Sequence, residues 1–189
     1  MNEEISRDEA HRILSRAPSF FNFLGRKKNT PPQNIELIYL PFFLSRVSIE
    51  KGEKRQDVAV CLDGLTTEAF FFARDDLDYR PGTYLPVCPF RVDADKGQPV
   101  LENRCRWVLI EQRLKQKKAA PRLEFSPVRE IFYPFWLGYF KKRDAYDFRA
   151  IDALSGQEMG LKMRPLFLSA LRILDGQEIP GKPRDTTLD

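Results

Sequence analysis

The chain has 189 residues, 42% of them hydrophobic and 31% charged, with 15 Phe, 6 Tyr and 2 Trp. That balance excludes wholesale disorder and gives room for one large domain or two small ones sharing an aromatic core. The net charge of +4 sets 31 basic against 27 acidic residues, which permits an anionic partner without demanding one, and no apolar run approaches the ~18 residues of a spanning helix.

At the N-terminus, Met1–Ile5 shows no basic stretch followed by an apolar one, so no secretory signal is read there. Cys61, Cys88 and Cys105 are odd in number and widely spaced, which argues against a disulfide framework. A reduced, cytoplasmic protein is the simplest expectation, although a mature secreted chain would begin in the same way. Ser6-Arg7-Asp8-Glu9 has capping-box spacing and predicts a helix through Arg16, with Ala10, Ile13 and Leu14 inward. An apolar cluster, Phe20–Leu24, and the basic Arg26-Lys27-Lys28 follow. Asn29–Pro32 then reads as a linker.

Next come two matched blocks. Ile38-Tyr39-Leu40-Pro41-Phe42-Phe43-Leu44 aligns with Ile131-Phe132-Tyr133-Pro134-Phe135-Trp136-Leu137 at an offset of 93 residues. Leu62-Asp63-Gly64-Leu65-Thr66-Thr67-Glu68 aligns with Ile151-Asp152-Ala153-Leu154-Ser155-Gly156-Gln157 at an offset of 89. The difference is expected in the connection, where Ser48–Asp57 reads as a longer charged loop than Lys141–Asp147. Each block pair predicts strand, loop, strand, tight turn, strand. Pro41 and Pro134 cannot donate to a ladder, so each is placed at an edge, a start or a bulge. Val58–Leu62 is apolar on both faces and predicts a strand covered on both sides, whereas Asp147–Ile151 alternates and predicts one wet face.

Between the blocks, Arg74–Gln98 is turn-rich. Val100–Lys118 predicts the longest helix, with Leu101, Cys105 and Val108 in an apolar stripe and Pro121 as its stop. Pro165 opens a last helix over Leu166–Leu174, closed by Gly176, ahead of a tail from Ile179 to Asp189. The expected organisation is an N-terminal helix and linker (1–34), a first β repeat with its extension (35–98), a segment of helix, second repeat and helix (99–178) and a tail (179–189), in one compact unit. The fold class is α+β: two pseudo-repeated antiparallel β units with helices at the N-terminus, between the copies and near the C-terminus.

The second copy, Tyr146-Asp147-Phe148-Arg149-Ala150-Ile151-Asp152-Ala153-Leu154-Ser155-Gly156, resembles the final hairpin of PepSY-type modules, and Ile5–Ala10 is similar to the helix with which they begin. These motifs cover about a third of the chain. The resemblance implies an inhibitory or binding role, not catalysis; family modules are mostly extracytoplasmic, whereas no export signal is read here.

Chemistry-bearing constellations are few. Asp63 and Asp152 occupy equivalent places. They are read as Asx-turn acids, with a cooperating pair at the pseudo-twofold as the alternative. Asp93-Ala94-Asp95-Lys96-Gly97 starts like a calcium loop but lacks its later ligands, and a plain hairpin turn is expected. The cysteines and the single histidine, His11, lack metal or nucleophile spacing, so no metal, catalytic residue or cofactor is assigned. Non-enzymatic binding or assembly is the expected function, through a protein partner or self-association at Trp136, Tyr139, Phe140, Lys141, Lys142 and Arg143. The alternatives are nucleic-acid binding through Arg26–Lys28, Arg113–Arg122 and Lys141–Arg143, and an enzyme or small-molecule binder with a cleft between the repeats.

Overall fold

The computed structural model describes residues 5–16, 30–52, 54–72, 88–116, 121–142 and 145–176. The Phe20–Leu24 cluster, Arg26–Lys28, most of Arg113–Arg122 and the tail lie outside these residues or have no described side chains, and the turn-rich stretch is described only from Cys88 onward. Within the described residues, three helices and a six-stranded antiparallel sheet give an α+β architecture.

Helix α1 spans Arg7–Ser15. The Ser6 hydroxyl accepts from the Glu9 amide at 3.3 Å, as the capping spacing requires, while the Glu9 carboxylate pairs with Arg12. Strands β1 (Asn34–Lys51), β2 (Lys54–Asp63) and β3 (Ala69–Phe72) follow. After α2 (Ala94–Gln116) come β4 (Arg122–Phe125), β5 (Arg129–Lys142) and β6 (Ala145–Asp152). A 3-10 turn, Leu161–Met163, leads into α3 (Arg164–Leu174), with Pro165 in the first turn and Gly176 left-handed at φ +69° just past the end. The strand order is β3-β2-β1-β5-β6, and β4 extends the β5 side of β1.

Four expectations need correction. The supposed Ser48–Asp57 loop is strand: β1 and β2 run on to a tight turn at Gly52, φ +58°. Val47 and Ile49 pack on the cluster that α2 covers, so the period-2 pattern continues through the charged residues. Asp93–Gly97 is not a hairpin turn but the start of α2, where the Asp93 carbonyl accepts from the Lys96 and Gly97 amides. A Cβ on Gly97 would lie 2.9 Å from Phe43 Cδ2, so that glycine serves a close helix–sheet approach. The second unit has no third strand; Glu158 makes a single bridge to Ile151 before the chain turns into α3. Finally, the face of β6 predicted to be wet is covered at Arg149, which donates to the Leu14 and Arg16 carbonyls at the end of α1.

Both matched blocks fall on hairpins of the same register. Phe42 lies opposite Asp63 in β1–β2, and Phe135 lies opposite Asp152 in β5–β6. The strands β1 and β5 then cross at Leu40–Tyr133, so Phe42 faces Ile131 and Ile38 faces Phe135. The prolines close each hairpin: the Pro41 carbonyl accepts from Gly64 and the Pro134 carbonyl from Ala153. An antiparallel residue points its N–H and C=O to the same side. Each proline therefore aims its missing donor where the partner strand has already turned away, and the ladder loses nothing.

The sheet is covered on both faces. Ile38, Leu40, Phe42, Tyr133, Phe135 and Leu137 meet Phe167 and Ala170 of α3. On the opposite face, α1 packs through Ala10 and Leu14 on Ile35, Trp136 and Ile151, and α2 packs through Leu101 and Cys105 on Phe43, Val60 and Leu62. Each helix preceding a hairpin thus docks on the other hairpin, α1 on β5–β6 and α2 on β1–β2. The entry bonds match as well: the Ile5 amide donates to the Ala153 carbonyl and the Arg91 amide to the Gly64 carbonyl.

Candidate functional site

Asp63 is fully buried, and its carboxylate accepts from the Leu65, Thr66 and Glu68 amides and the Thr66 hydroxyl. Its lone pairs are spent on its own turn. Asp152 accepts from the Leu154 and Ser155 amides and from the Tyr133 hydroxyl at 2.8 Å. From the register, three strand spacings and four residue rises separate the two acids, roughly 20 Å, twice the ~10 Å span of a cooperating catalytic pair. The structure does not bring Asp63 and Asp152 together; each organises a turn.

The cysteines are buried in different clusters, Cys61 and Cys88 on the α3 face of the sheet and Cys105 beneath α2. Burial pushes the Cys88 and Cys105 thiols up to about 11, against the weaker pull of Arg91 and Arg106 respectively, and raises Cys61 further. Such thiols are protonated and unreactive at neutral pH.

Of the residues proposed from sequence to meet a partner, Trp136 is misplaced. It is 6% exposed, lies beneath α1, and its indole donates to the Ile5 carbonyl at 2.9 Å. An aromatic in a strand faces whichever layer covers that side, and here α1 covers it. Tyr139 is half-buried and donates a short hydrogen bond to Glu36. Burial, this bond and the charges of Glu36 and Asp175 all raise its hydroxyl well above the ordinary tyrosine value. Phe140 is half-buried under the Arg149 guanidinium, 5.6 Å from its ring centroid. Lys141 is exposed; Lys142 is placed only by its backbone, opposite Ala145, and Arg143 lies outside the described residues.

What sequence reasoning missed is Tyr146. It stands opposite Lys141 at the end of the β5–β6 hairpin where the two strands connect, and is 69% exposed. The Lys141–Asp147 stretch, expected as a charged turn, is strand at Lys141–Lys142 and from Ala145 onward, and taking it for a connection hid Tyr146, because sequence alone does not say where the covering helix ends. About one helical turn before and after Arg164, Leu161 is 85% and Leu168 40% exposed. Between them on the helix, Arg164 pairs with Asp147 at 2.7 Å, donates to the Phe148 carbonyl, and lies 4.4 Å over the Phe148 ring. Lys141, Lys162 and Arg172 are exposed there and meet no acid among the described residues.

The outer edge of β6 is closed to strand addition along most of its length. The Phe148 amide donates to the Asp147 carboxylate and its carbonyl takes Arg164. The Ala150 carbonyl accepts from Met159, and the Asp152 amide donates to the Gln157 carbonyl. Side chains, not backbone, are what this side offers a partner. No helix among the described residues is long and apolar enough to cross a membrane. No family model, curated protein or solved structure matches the chain.

Proposed function

We propose that the protein is a non-catalytic binding or assembly protein, and that a protein partner meets it at the end of the β5–β6 hairpin and along the adjoining outer side of α3. The observation that carries this reading is that Tyr146, Leu161 and Leu168, three of the four strongly exposed large apolar side chains among the described residues, stand on the two elements that the Arg164–Asp147 pair joins, Leu161 in the 3-10 turn that leads into α3. Exposed apolar groups rimmed by polar ones mark interaction surfaces more often than isolated ones do. The binding role implied by the resemblance of Tyr146–Gly156 to PepSY-type modules is in keeping with it. The matching registers, proline positions and Asp turns support the further reading of the two hairpins as diverged copies of one unit.

The test is recovery of a stoichiometric partner from native lysate by immobilised full-length protein, compared with a Tyr146→Ser, Leu161→Ser double variant and with Trp107→Ser. Trp107 is the fourth exposed apolar residue, 65% exposed and far along the chain on α2. The reading expects the partner to be lost with the double variant alone. No partner at all, or one that the double variant retains, overturns it.

A further inference from the structure

We infer that the occupant of this surface is an acidic chain segment carrying apolar side chains, an inference that rests on the protein-binding reading above. On the exposed side of α3, Pro165, Leu168 and Arg172 follow one another at helical spacing, and Leu161 and Lys162 precede them in the 3-10 turn, with 85% and 40% exposure at the two leucines. Lys162 and Arg172 lie ten residues apart, roughly 15 Å along the axis. That is the span of about five residues of extended chain. On the hairpin, Lys141 and Tyr146 repeat the same combination of exposed cation and exposed apolar group. The intervening Arg164 pairs with Asp147, so among the described residues the cations left to a ligand there are Lys141, Lys162 and Arg172, set in alternation with the exposed apolar residues.

Two alternatives fit less well. A second copy of this chain, meeting the same surface about a twofold axis, would oppose Lys141, Lys162 and Arg172 with cations of like sign. A partner adding a strand to the sheet finds the β6 edge occupied by Asp147, Arg164 and residues 157–159. Apolar groups with cations set among them suit a chain, whose side chains alternate between the two chemistries, better than a broad lipid face.

Fluorescence anisotropy of the full-length protein with a labelled random glutamate–tyrosine copolymer tests this, with polyglutamate and equal-part phosphatidylserine–phosphatidylcholine vesicles as the comparison probes. The copolymer is expected to bind more tightly than polyglutamate. Tyr146→Ser with Leu161→Ser should weaken the copolymer about tenfold, the scale of losing central apolar anchors. Lys141→Glu with Lys162→Glu should remove salt-sensitive binding, while Arg122→Glu, at the start of β4 and 75% exposed, should not. Equal loss with Arg122→Glu, equal binding of polyglutamate, or recovery with vesicles but not copolymer overturns the inference. If the copolymer fails while a native partner is still lost with the double variant, the acidic class is wrong and the binding reading stands; if the native partner is also unaffected, both fall.

Discussion

Thr67 and Gly156 occupy the same position in the two Asp-led turns, and both backbones are left-handed, at φ +60° and +72°. Glycine takes that conformation freely, whereas a β-branched residue is held there against its preference. The first turn tolerates the threonine because Asp63 binds its neighbours with four hydrogen bonds. We expect Thr67→Gly to stabilise the protein by about 1 kcal/mol and Gly156→Ala to destabilise it by at least as much. A Cβ at 156 would also sit 2.7 Å from Ile5 Cδ1. Urea denaturation of both variants checks the pair, and a destabilised Thr67→Gly would refute the strain argument.

At the scale of elements, Arg149 holds α1 to the sheet. Its side chain, 17% exposed, makes two bonds to Glu158 at 2.7 and 2.9 Å and two to the last carbonyls of α1. A cation at a helix C-terminus satisfies carbonyls that the helix itself leaves open. Arg149→Ala should cost about 2 kcal/mol and speed amide exchange in α1 more than in α3; unchanged protection of α1 would show that Leu14 and Ile5 suffice. The helix itself was legible, since its cap lies within four residues of sequence. So were α3, from Pro165 and Gly176, and the Asp turns. The far half of β1 was not, because Ser48–Asp57 is charged and contains Gly52, and only the layer of α2 beneath Val47 and Ile49 makes those residues strand. The start of α2 was hidden for a related reason: Gly97 reads as a turn until Phe43 is seen against it. The candidate surface was legible at Lys141 and missed at Tyr146, since the reach of a covering helix is a tertiary fact.

The whole molecule titrates through its interior at high pH. Cys88 and Cys105 are held up to about 11 against an ordinary 9.0, and Cys61 and Tyr139 are also raised. A folded-state value above the unfolded one means the native state keeps protons that the unfolded chain releases. That contribution is complete below pH 9 and is lost between about 9 and 11, so the melting temperature should fall steadily over that window. Cys88→Ala with Cys105→Ala should flatten the slope, and an unaltered slope would count against the thiols as its source. The crossed docking of α1 and α2 has a consequence in time. A chain leaving the ribosome presents Phe43, Val60 and Leu62 before α2 has been made to cover them, and Ile5 waits for Trp136, 131 residues later. Helix α1 is therefore among the last elements to find its place, and the β1–β2 hairpin emerges as an open surface that only later segments complete.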